Sequence, residues 1–154
     1  MKPILDVTCG SRMMWFDKKN PLAVYMDSRQ ESCELCDGRK LIIAPDVCGD
    51  FRKIPYEDGT FKLVVFDPPH LRRAGKDSWL AHKYGLLGES WKDDIQKGFY
   101  ECFRVLENYG VLIFKWSEDQ ISVSHILTLD IPQPLFGHRR GKTIFLVFMR
   151  TPKN

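Results

Sequence analysis

The feature of this sequence that most constrains its fold is an apolar run, Phe61 to Phe66, that ends in Asp67, Pro68, Pro69 and His70. Apolar residues occupy both faces of the run, which predicts a strand buried on both sides, as in a parallel sheet covered by helices. Open sheets of this kind bind ligands at the carboxyl ends of their strands. We therefore expect the chemistry of the chain to lie immediately after Phe66.

The two prolines make the turn after this strand rigid. Proline has a fixed φ angle and no backbone N–H, so the loop offers acceptors rather than donors. Asp67 contributes carboxylate oxygens, and the carbonyls of Asp67 and Pro68 are free to accept. A loop of this composition suits a ligand with an exposed amino group.

The order Asp67-Pro68-Pro69-His70 resembles the D-P-P-(Y/F/W) signature of amino-group methyltransferases that use S-adenosylmethionine, above all those that methylate exocyclic nitrogens of DNA bases. The resemblance implies that these four residues are catalytic. His70 departs from the pattern, because it replaces an aromatic ring that would stack on the flipped base. Imidazole also stacks, but more weakly and with a variable charge.

A second motif follows the first predicted strand, which starts at Ile4. The glycine turn at Gly10 would allow close approach of a ligand, and a helix predicted over Ser11 to Lys19 would favour an anionic group at its start. The stretch resembles motif I of the same methyltransferases, D-x-x-C-G-S-G, with Arg12 in place of the second glycine. Taken alone, a glycine after a strand is equally an ordinary turn. The resemblance implies cofactor contacts by Asp6, Thr8, Cys9 and Gly10.

The next predicted strand, Leu22 to Asp27, ends on an acid. An acidic residue about 20 positions beyond a glycine turn is placed to accept hydrogen bonds from the ribose hydroxyls of a nucleoside. We take Asp27 as the ribose ligand, with Arg29 beside it. The alternative is a solvated strand end or a cap of the next element.

An extended run from Leu41 ends in Gly49, Asp50 and Phe51. In the methyltransferases that the chain resembles, an acidic residue here accepts the amino hydrogen of the cofactor adenine, and an adjacent apolar residue packs on its ring. Asp50 and Phe51 match that arrangement. The alternative is that Phe51 belongs to the core and Asp50 to a turn.

Basic and aromatic residues are interleaved in the long loop from Leu71 to Ser90. The basic residues would bind phosphates, and the aromatic residues would stack on nucleobases. A lid over the cofactor is the alternative. A basic hairpin tip, predicted at residues 138–142 between strands at 134–137 and 143–150, is a candidate phosphate contact or else a solvated turn. The substrate-binding candidates are Arg72, Arg73, Trp79, Lys83, Tyr84, Arg139 and Arg140.

Strands alternate with helices, the clearest of them a helix over Trp91 to Glu107, followed by a strand over Val111 to Trp116 and a helix from Ser117 to about Leu129. This order predicts an α/β fold, a three-layer α/β/α Rossmann-like sandwich whose mostly parallel sheet ends in an antiparallel hairpin. The resemblance implies seven strands. At 154 residues, the chain is expected to be a single domain, 1–154.

Composition adds weaker constraints. The net charge of +3 is too balanced to diagnose nucleic-acid binding. Apolar runs too short for a bilayer and an N-terminus without a signal-peptide core predict a cytoplasmic protein. The five cysteines are expected to be reduced. Cys33-x-x-Cys36 would be half of a zinc site or a redox pair, but the sequence has no second pair of ligands, and we predict no metal. A homodimer would supply a second surface to a chain with no room for a recognition domain.

The resemblance implies transfer of a methyl group from S-adenosylmethionine to an exocyclic amino nitrogen of a DNA base, adenine N6 or cytosine N4, with no metal. An RNA base or a protein amide is the enzymatic alternative, because the loop presents acceptors to any planar amino group. A non-catalytic nucleic-acid-binding subunit with the cofactor fold is a second alternative, favoured by the departures at Arg12 and His70. A zinc-stabilised interaction module is the third.

Overall fold

The computed structural model describes residues 1–34, 38–70 and 88–152, without the side chain of Cys33. Within these residues the chain forms strands and two helices. The strands are β1 (Ile4–Asp6), β2 (Ala23–Asp27), β3 (Glu31–Glu34), β4 (Lys40–Ile43), β5 (Val47–Cys48), β6 (Phe61–Phe66), β7 (Leu106–Ser117), β8 (Phe136–Arg140) and β9 (Thr143–Met149), and the helices are α1 (Trp91–Val105) and α2 (Val123–Ile126).

Seven strands form one sheet in the order β5-β2-β1-β6-β7-β9-β8. The pairs from β5 to β7 are parallel, whereas β9 runs antiparallel to both β7 and β8. The predicted α/β fold, with a mostly parallel sheet that ends in an antiparallel hairpin, is therefore confirmed. A separate two-stranded hairpin of β3 and β4 lies outside this sheet.

The strand β6 has the predicted bounds and lies between β1 and β7. Val64 and Phe66 are fully buried, and Val65, on the opposite face, is nearly so. Burial on both faces agrees with the apolar run that predicted the strand. Its carboxyl end therefore delivers Asp67 to the same edge as the ends of β1 and β7.

Helix α1 packs on one face of the sheet through apolar residues at helical spacing, among them Ile95 and Phe99. The ring of Phe99 lies 4.8 Å from that of Phe114 and 5.5 Å from that of Phe66 between centroids. Gly98 permits this close approach, because a Cβ there would stand 2.5 Å from Phe66 and 2.8 Å from Phe51. The helix is scaffold, as its pattern predicts.

The helix predicted over Ser11 to Lys19 is wrong. These residues form successive turns, and Arg12 adopts a φ of 61°, which an α-helix does not tolerate. The turns are closed by the Arg12 N–H bonded to the Cys9 carbonyl and the Trp15 N–H bonded to the Arg12 carbonyl. The side of the sheet at β1 and β2 is packed by Trp15, whose ring meets that of Tyr25 edge-on.

Other boundaries differ from prediction in ways that follow from pairing. The extended run from Leu41 is two strands, β4 and β5, and the first of them pairs with β3. Strand β7 is longer than predicted and runs through Ser117, so the next helix begins only at Val123, whose N–H is capped by Glu118 at 2.7 Å.

The predicted hairpin tip at residues 138–142 is also wrong. Strand β8 continues through Arg140, which pairs with Thr143, and the turn consists of Gly141 and Lys142. The glycine has a φ of 61°, a conformation that glycine adopts without strain. The two arginines of the predicted tip therefore belong to a strand and not to a loop.

Neither helix that the described residues form is long and apolar enough to cross a membrane. The thiols of Cys9 and Cys102 are free and buried, and that of Cys48 is free and exposed. Cys36 and the side chain of Cys33 lie outside the described residues, so the C-x-x-C pair stays a prediction.

Candidate functional site

A cleft of about 200 Å³ opens where the parallel strands end. It is lined by the turn after β1 (Asp6–Ser11), the residues after β2 (Asp27–Arg29), Gly49 and Phe51 after β5, and Asp67 after β6. The carboxyl ends of parallel strands meet at one edge of a sheet, where α/β folds bind ligands. The structure thus brings together most of the predicted cofactor-binding residues at one opening.

Asp27 holds the turn that contains Gly10. One carboxylate oxygen accepts the Gly10 N–H at 2.8 Å, and the other accepts the backbone N–H of Arg29 at 2.9 Å and its Nε–H at 3.2 Å. The residue is only 5% exposed. Because a carboxylate has about four lone-pair positions, the oxygen bonded to Gly10 keeps acceptor capacity toward the cleft.

Asp6 lies deeper, at 2% exposure. It accepts hydrogen bonds from the Thr8 N–H at 3.2 Å and from the indole N–H of Trp15 at 2.7 Å. Burial raises the pKa of this carboxyl to about 7, and the two hydrogen bonds only partly offset it. The negative charges of Asp67 and Asp27 contribute to this raised pKa.

Thr8 joins the turn after β1 to the residues Asp67 to Pro69, which we call the proline loop. Its hydroxyl oxygen accepts the backbone N–H of Asp67 at 2.8 Å. This bond satisfies the last N–H before two residues that have none, Pro68 and Pro69. The loop therefore presents carboxylate and carbonyl oxygens with no backbone donor of its own.

Asp67 has a lysine beside it that the sequence analysis did not single out. The ammonium of Lys115, on β7, stands 3.6 Å from the Asp67 carboxylate, and both residues line the cleft. Burial raises the pKa of Asp67 to about 6, and Lys115 opposes that rise. The signal in the sequence is a charged residue inside the apolar strand Val111 to Trp116, at a position between two buried side chains.

His70 is turned into the protein. It is 8% exposed, its Nε2 lies 3.2 Å from the Asp119 carboxylate, and its ring meets that of Trp116 edge-on with centroids 6.4 Å apart. Burial lowers the pKa of His70, although Asp119 favours the charged form. The imidazole does not line the cleft, so the ring is not presented as the stacking surface that its place in the motif suggests.

Phe51 and Asp50 separate in the structure. Phe51 lines the cleft and packs 5.2 Å from Phe66. Asp50 forms an ion pair with Arg52 at 2.6 Å, which holds the pKa of that carboxyl below its usual range. Arg52 also contacts Asp94 at 3.2 Å. Asp50 is not among the residues that line the cleft.

Arg12 adopts a backbone conformation that favours glycine. Its φ of 61° is in the left-handed region. Its guanidinium lies 3.8 Å from the centre of the Tyr25 ring and donates hydrogen bonds to the carbonyls of Lys18 and Ala44. The side chain is thus directed away from the cleft, and the departure from motif I leaves the cleft open.

Arg139 and Arg140 lie at the carboxyl end of β8, which the pairings through β9 bring level with the end of β7. Arg139 is ion-paired with Glu118, whereas Arg140 is exposed. Both stand at the cleft edge of the sheet but do not line the cleft. The other substrate-binding candidates lie outside the described residues, namely Arg72, Arg73, Trp79, Lys83 and Tyr84.

Among the described residues that line the cleft, three carboxyl groups, those of Asp6, Asp27 and Asp67, outnumber the two cations, Arg29 and Lys115. An excess of buried carboxylates favours a ligand that carries positive charge. In the part of the chain that the structure describes, no three His, Cys, Asp or Glu side chains are grouped to hold a metal ion. These carboxylates accept hydrogen bonds and carry negative charge, so they suit an organic cation with hydroxyl and amino groups.

Solved structures share this architecture. The PH0226 protein from Pyrococcus horikoshii OT3 matches with a TM-score of 0.56 and 14% identity, over 96% of this chain and 81% of that chain. The "putative methyltransferase yhhF" from Escherichia coli matches with a TM-score of 0.52 and 9% identity, over 97% of this chain and 76% of that chain. At these identities the similarity establishes the fold.

A third structure, the "putative DNA modification methylase" TTHA0409 from Thermus thermophilus, has a TM-score of 0.38 and 19% identity, over 69% of this chain and 53% of that chain. That similarity is too low to carry an argument. No protein-family model and no curated protein match the sequence. On its strand order and its structural matches, the chain has a methyltransferase-like fold.

Proposed function

We propose that this protein is an S-adenosylmethionine-dependent methyltransferase that acts on an exocyclic amino nitrogen, that of a DNA adenine or cytosine. The observation that carries the proposal is the bond between the Thr8 hydroxyl and the Asp67 N–H, 2.8 Å long. It ties the turn that resembles motif I to the loop that resembles the D-P-P signature. Two motifs that are weak separately thus belong to one cleft.

The residues of the cleft fit the cofactor in charge and in hydrogen bonding. Asp27 would accept from the ribose hydroxyls, and Phe51 would pack on the adenine ring. The turn at Gly10 would lie against the methionine moiety, whose ammonium and sulfonium groups match the surplus of carboxylates. When bound, S-adenosylmethionine supplies a methyl group on a cationic sulfur and leaves as the thioether S-adenosylhomocysteine.

Asp67 would position the acceptor. Its carboxylate takes a hydrogen bond from the amino group, and the Pro68 carbonyl is available for the second N–H. Holding both hydrogens turns the weak nitrogen lone pair toward the methyl group. Alignment of this kind supplies about 7 to 11 kcal/mol of the barrier in well-oriented reactions. As the N–C bond forms, the nitrogen becomes cationic and then loses one proton to Asp67 or to water.

A base inside a duplex must leave the stack to reach this loop, at a cost of about a few kcal/mol. Arg139 and Arg140, at the same edge of the sheet, would hold phosphates beside the cleft. DNA is preferred as the substrate because the amino-group enzymes that the D-P-P loop resembles act on it.

The proposal is tested in two steps, binding and then transfer. Calorimetric titration of the pure protein with S-adenosylmethionine and S-adenosylhomocysteine should give micromolar dissociation constants. Incubation with methyl-labelled cofactor and DNA should then place label on an amino nitrogen, identified by mass spectrometry of the nucleosides. Label on RNA or protein instead of DNA would overturn the substrate, and no binding of either ligand would overturn the whole proposal.

A further inference from the structure

Within the described residues, Asp67 to Pro69 offer no free backbone N–H, and the cation Lys115 stands beside them. Pro68 and Pro69 have no N–H, and that of Asp67 is bonded to Thr8. Such a loop accepts hydrogen bonds from an amino group. That amino group is usually attached to a ring or a carbonyl carbon, and a ring nitrogen or carbonyl oxygen next to it carries a lone pair. A site built only of acceptors would repel that lone pair, so a donor is needed at the loop.

Lys115 is placed to be that donor. Phe66 pairs with Phe114 across β6 and β7, so the residues that follow them, Asp67 and Lys115, emerge side by side at the cleft edge. Their side chains are 22% and 27% exposed, and the nearest oxygen and nitrogen are 3.6 Å apart. This separation exceeds a direct hydrogen bond, which leaves the ammonium able to donate to a third group.

In the part of the chain that the structure describes, few other groups compete for this ammonium. Among the described residues, Lys115 is near the Asp67 carboxylate and the ring of Phe145, whose centre is 6.0 Å away. An ammonium has three hydrogens, and an aromatic face attracts it without using a directed hydrogen bond. At least one hydrogen therefore stays available for a group in the cleft.

We propose that Asp67 and Lys115 form one acceptor subsite that recognises a planar group in which an amino nitrogen stands beside a lone pair. Asp67 accepts from the amino group, and Lys115 donates to the adjacent ring nitrogen or carbonyl oxygen. The subsite takes adenine, cytosine and amides, and it discriminates against amines that lack the neighbouring acceptor. This inference rests on the proposed methyltransferase function and names its substrate class.

Electrostatics agree with the pairing. The ionised form of Asp67 is the stronger acceptor, and Lys115 lowers the pKa of this carboxyl against the effect of burial. The other charged groups nearby lie on both sides: Asp6 is close enough for its own pKa to respond to Asp67, and His70, paired with Asp119, responds to Lys115. Removing the lysine would leave the Asp67 carboxylate without the cation that stands beside it.

The first experiment needs neither cofactor nor substrate. Side-chain carboxyl carbons are followed by NMR as a function of pH in the wild type and in Lys115→Met, Lys115→Arg and the control Lys62→Met. Lys62 lies on β6 and is ion-paired at 2.9 Å with Glu107, away from the cleft. The Asp67 midpoint should rise in Lys115→Met, recover in Lys115→Arg and stay constant in Lys62→Met.

The second experiment removes the lone pair from the substrate. Methyl transfer is measured on single-stranded oligonucleotides that carry adenine, 1-deazaadenine or 3-deazaadenine, or cytosine and 3-deazacytosine. The 1-deaza and 3-deazacytosine bases keep the amino group but lose the neighbouring ring nitrogen, whereas 3-deazaadenine loses a distant one. The wild-type kcat/KM should be about tenfold or more lower on 1-deazaadenine and 3-deazacytosine than on the natural bases. This is the loss expected when a hydrogen bond to a charged group is removed.

The variant decides whether Lys115 causes that discrimination. In Lys115→Met the ratio between the natural base and its analogue should approach one, and in Lys115→Arg it should recover. An unchanged ratio in Lys115→Met, or an Asp67 midpoint that ignores the substitution, would overturn the subsite. If the midpoint shifts as expected but the wild type methylates nothing, the pair stands and the proposed function, with the substrate class derived from it, fails.

Discussion

The carboxylates of the cleft are held in two different ways. At the ends of β1 and β2, Asp6 and Asp27 accept hydrogen bonds from backbone, indole and guanidinium N–H groups at 2.7 to 3.2 Å. At the ends of β6 and β7, Asp67 has within the described residues a lysine 3.6 Å away as its side-chain partner. We name the first region, with Phe51, the cofactor half, and the second, with the proline loop, the acceptor half.

The difference shows what each half supplies before any ligand arrives. In the cofactor half, local bonds fix the carboxylates, so the geometry is present in the free protein and little ordering is left to the ligand. In the acceptor half, the prolines fix the backbone, whereas the charged side chains keep free hydrogen-bonding capacity. The first half is suited to constant binding, and the second to an interaction completed by the group that reacts.

The largest expected effect separates the two halves by function. Replacing Asp67 with alanine removes the acceptor for the amino group, and we expect methyl transfer to fall by about 10² to 10⁴, the range for a positioned proton acceptor. Binding of S-adenosylhomocysteine, measured by calorimetry, should stay within about twofold, because its main contacts lie in the other half.

The matched control for this substitution is Asp93→Ala, which removes a 66% exposed carboxylate from α1. Its turnover should equal that of the wild type. If Asp67→Ala transfers methyl groups at the wild-type rate, the assignment of the acceptor half is wrong.

The second effect is the reverse separation. Asp27→Ala should weaken S-adenosylhomocysteine binding more than tenfold, because it removes an acceptor whose charge-assisted hydrogen bonds contribute about 1.5 to 3 kcal/mol each. It also removes the anchor of the Gly10 N–H, 2.8 Å away. Circular dichroism and thermal denaturation would show whether the fold is kept. A folded Asp27→Ala variant that binds the ligand like the wild type would refute the ribose contact.

The third effect reaches the cofactor half through the scaffold. A methyl group at position 98 would meet Phe66 and Phe51 below 3 Å, so Gly98→Ala should destabilise the fold by about 1 to 3 kcal/mol. Displacing Phe51 should also weaken cofactor binding several-fold in the fraction that folds. Urea denaturation and calorimetry measure the two effects. The control is Lys97→Ala on the exposed side of α1, and equal stability of the two variants would contradict this packing argument.

The comparison also separates what sequence could predict from what it could not. Residues of the cofactor half follow their strands directly, so strand ends and a glycine turn were enough to bring Asp6, Gly10, Asp27 and Phe51 to one edge. Lys115 was not predicted as a site residue, because its contact with Asp67 depends on the register of two strands that are far apart in sequence. A lone lysine in an apolar run gives no partner until that register is known.

Side-chain direction was the second obstacle. The motifs identify the positions of His70 and Arg12 but not the directions of their side chains. His70 is held away from the cleft by Asp119 and Arg12 by Tyr25, and both partners come from other elements. The absent helix after Gly10 has the same origin, because apolar residues at Met13 to Phe16 favour a helix locally. Instead, the side chain of Arg12 donates hydrogen bonds to the carbonyls of Lys18 and Ala44, and these bonds hold the chain at Arg12 in another conformation.

The fourth effect tests the charge of the cleft as a whole. Ionisation of Asp6, with a pKa of about 7, and of Asp67, at about 6, favours a cationic ligand. The affinity for S-adenosylmethionine should therefore rise between pH 5.5 and pH 7.5, by less than about tenfold per pH unit for each proton released. S-adenosylhomocysteine lacks the sulfonium charge, so its affinity should rise less steeply, and parallel pH profiles for the two ligands would contradict the role of the carboxylates.

The smallest effect concerns stability and isolates Asp6. Its pKa in the folded protein lies above the ordinary value of 3.8, so the folded state binds more protons than the unfolded state between about pH 4 and pH 7. The contribution of Asp6 to the free energy of unfolding is then largest below about pH 4, falls between about pH 4 and pH 7 by at most about 1.4 kcal/mol per pH unit, and is constant above that range. Asp6→Asn should flatten that slope in urea denaturation at pH 5, 6, 7 and 8, whereas the exposed control Asp93→Asn should keep it. A slope in Asp6→Asn as steep as that of the wild type would mean that the indole of Trp15 and the N–H of Thr8 hold Asp6 ionised as well as water does, so that burial raises a carboxyl pKa only in the acceptor half.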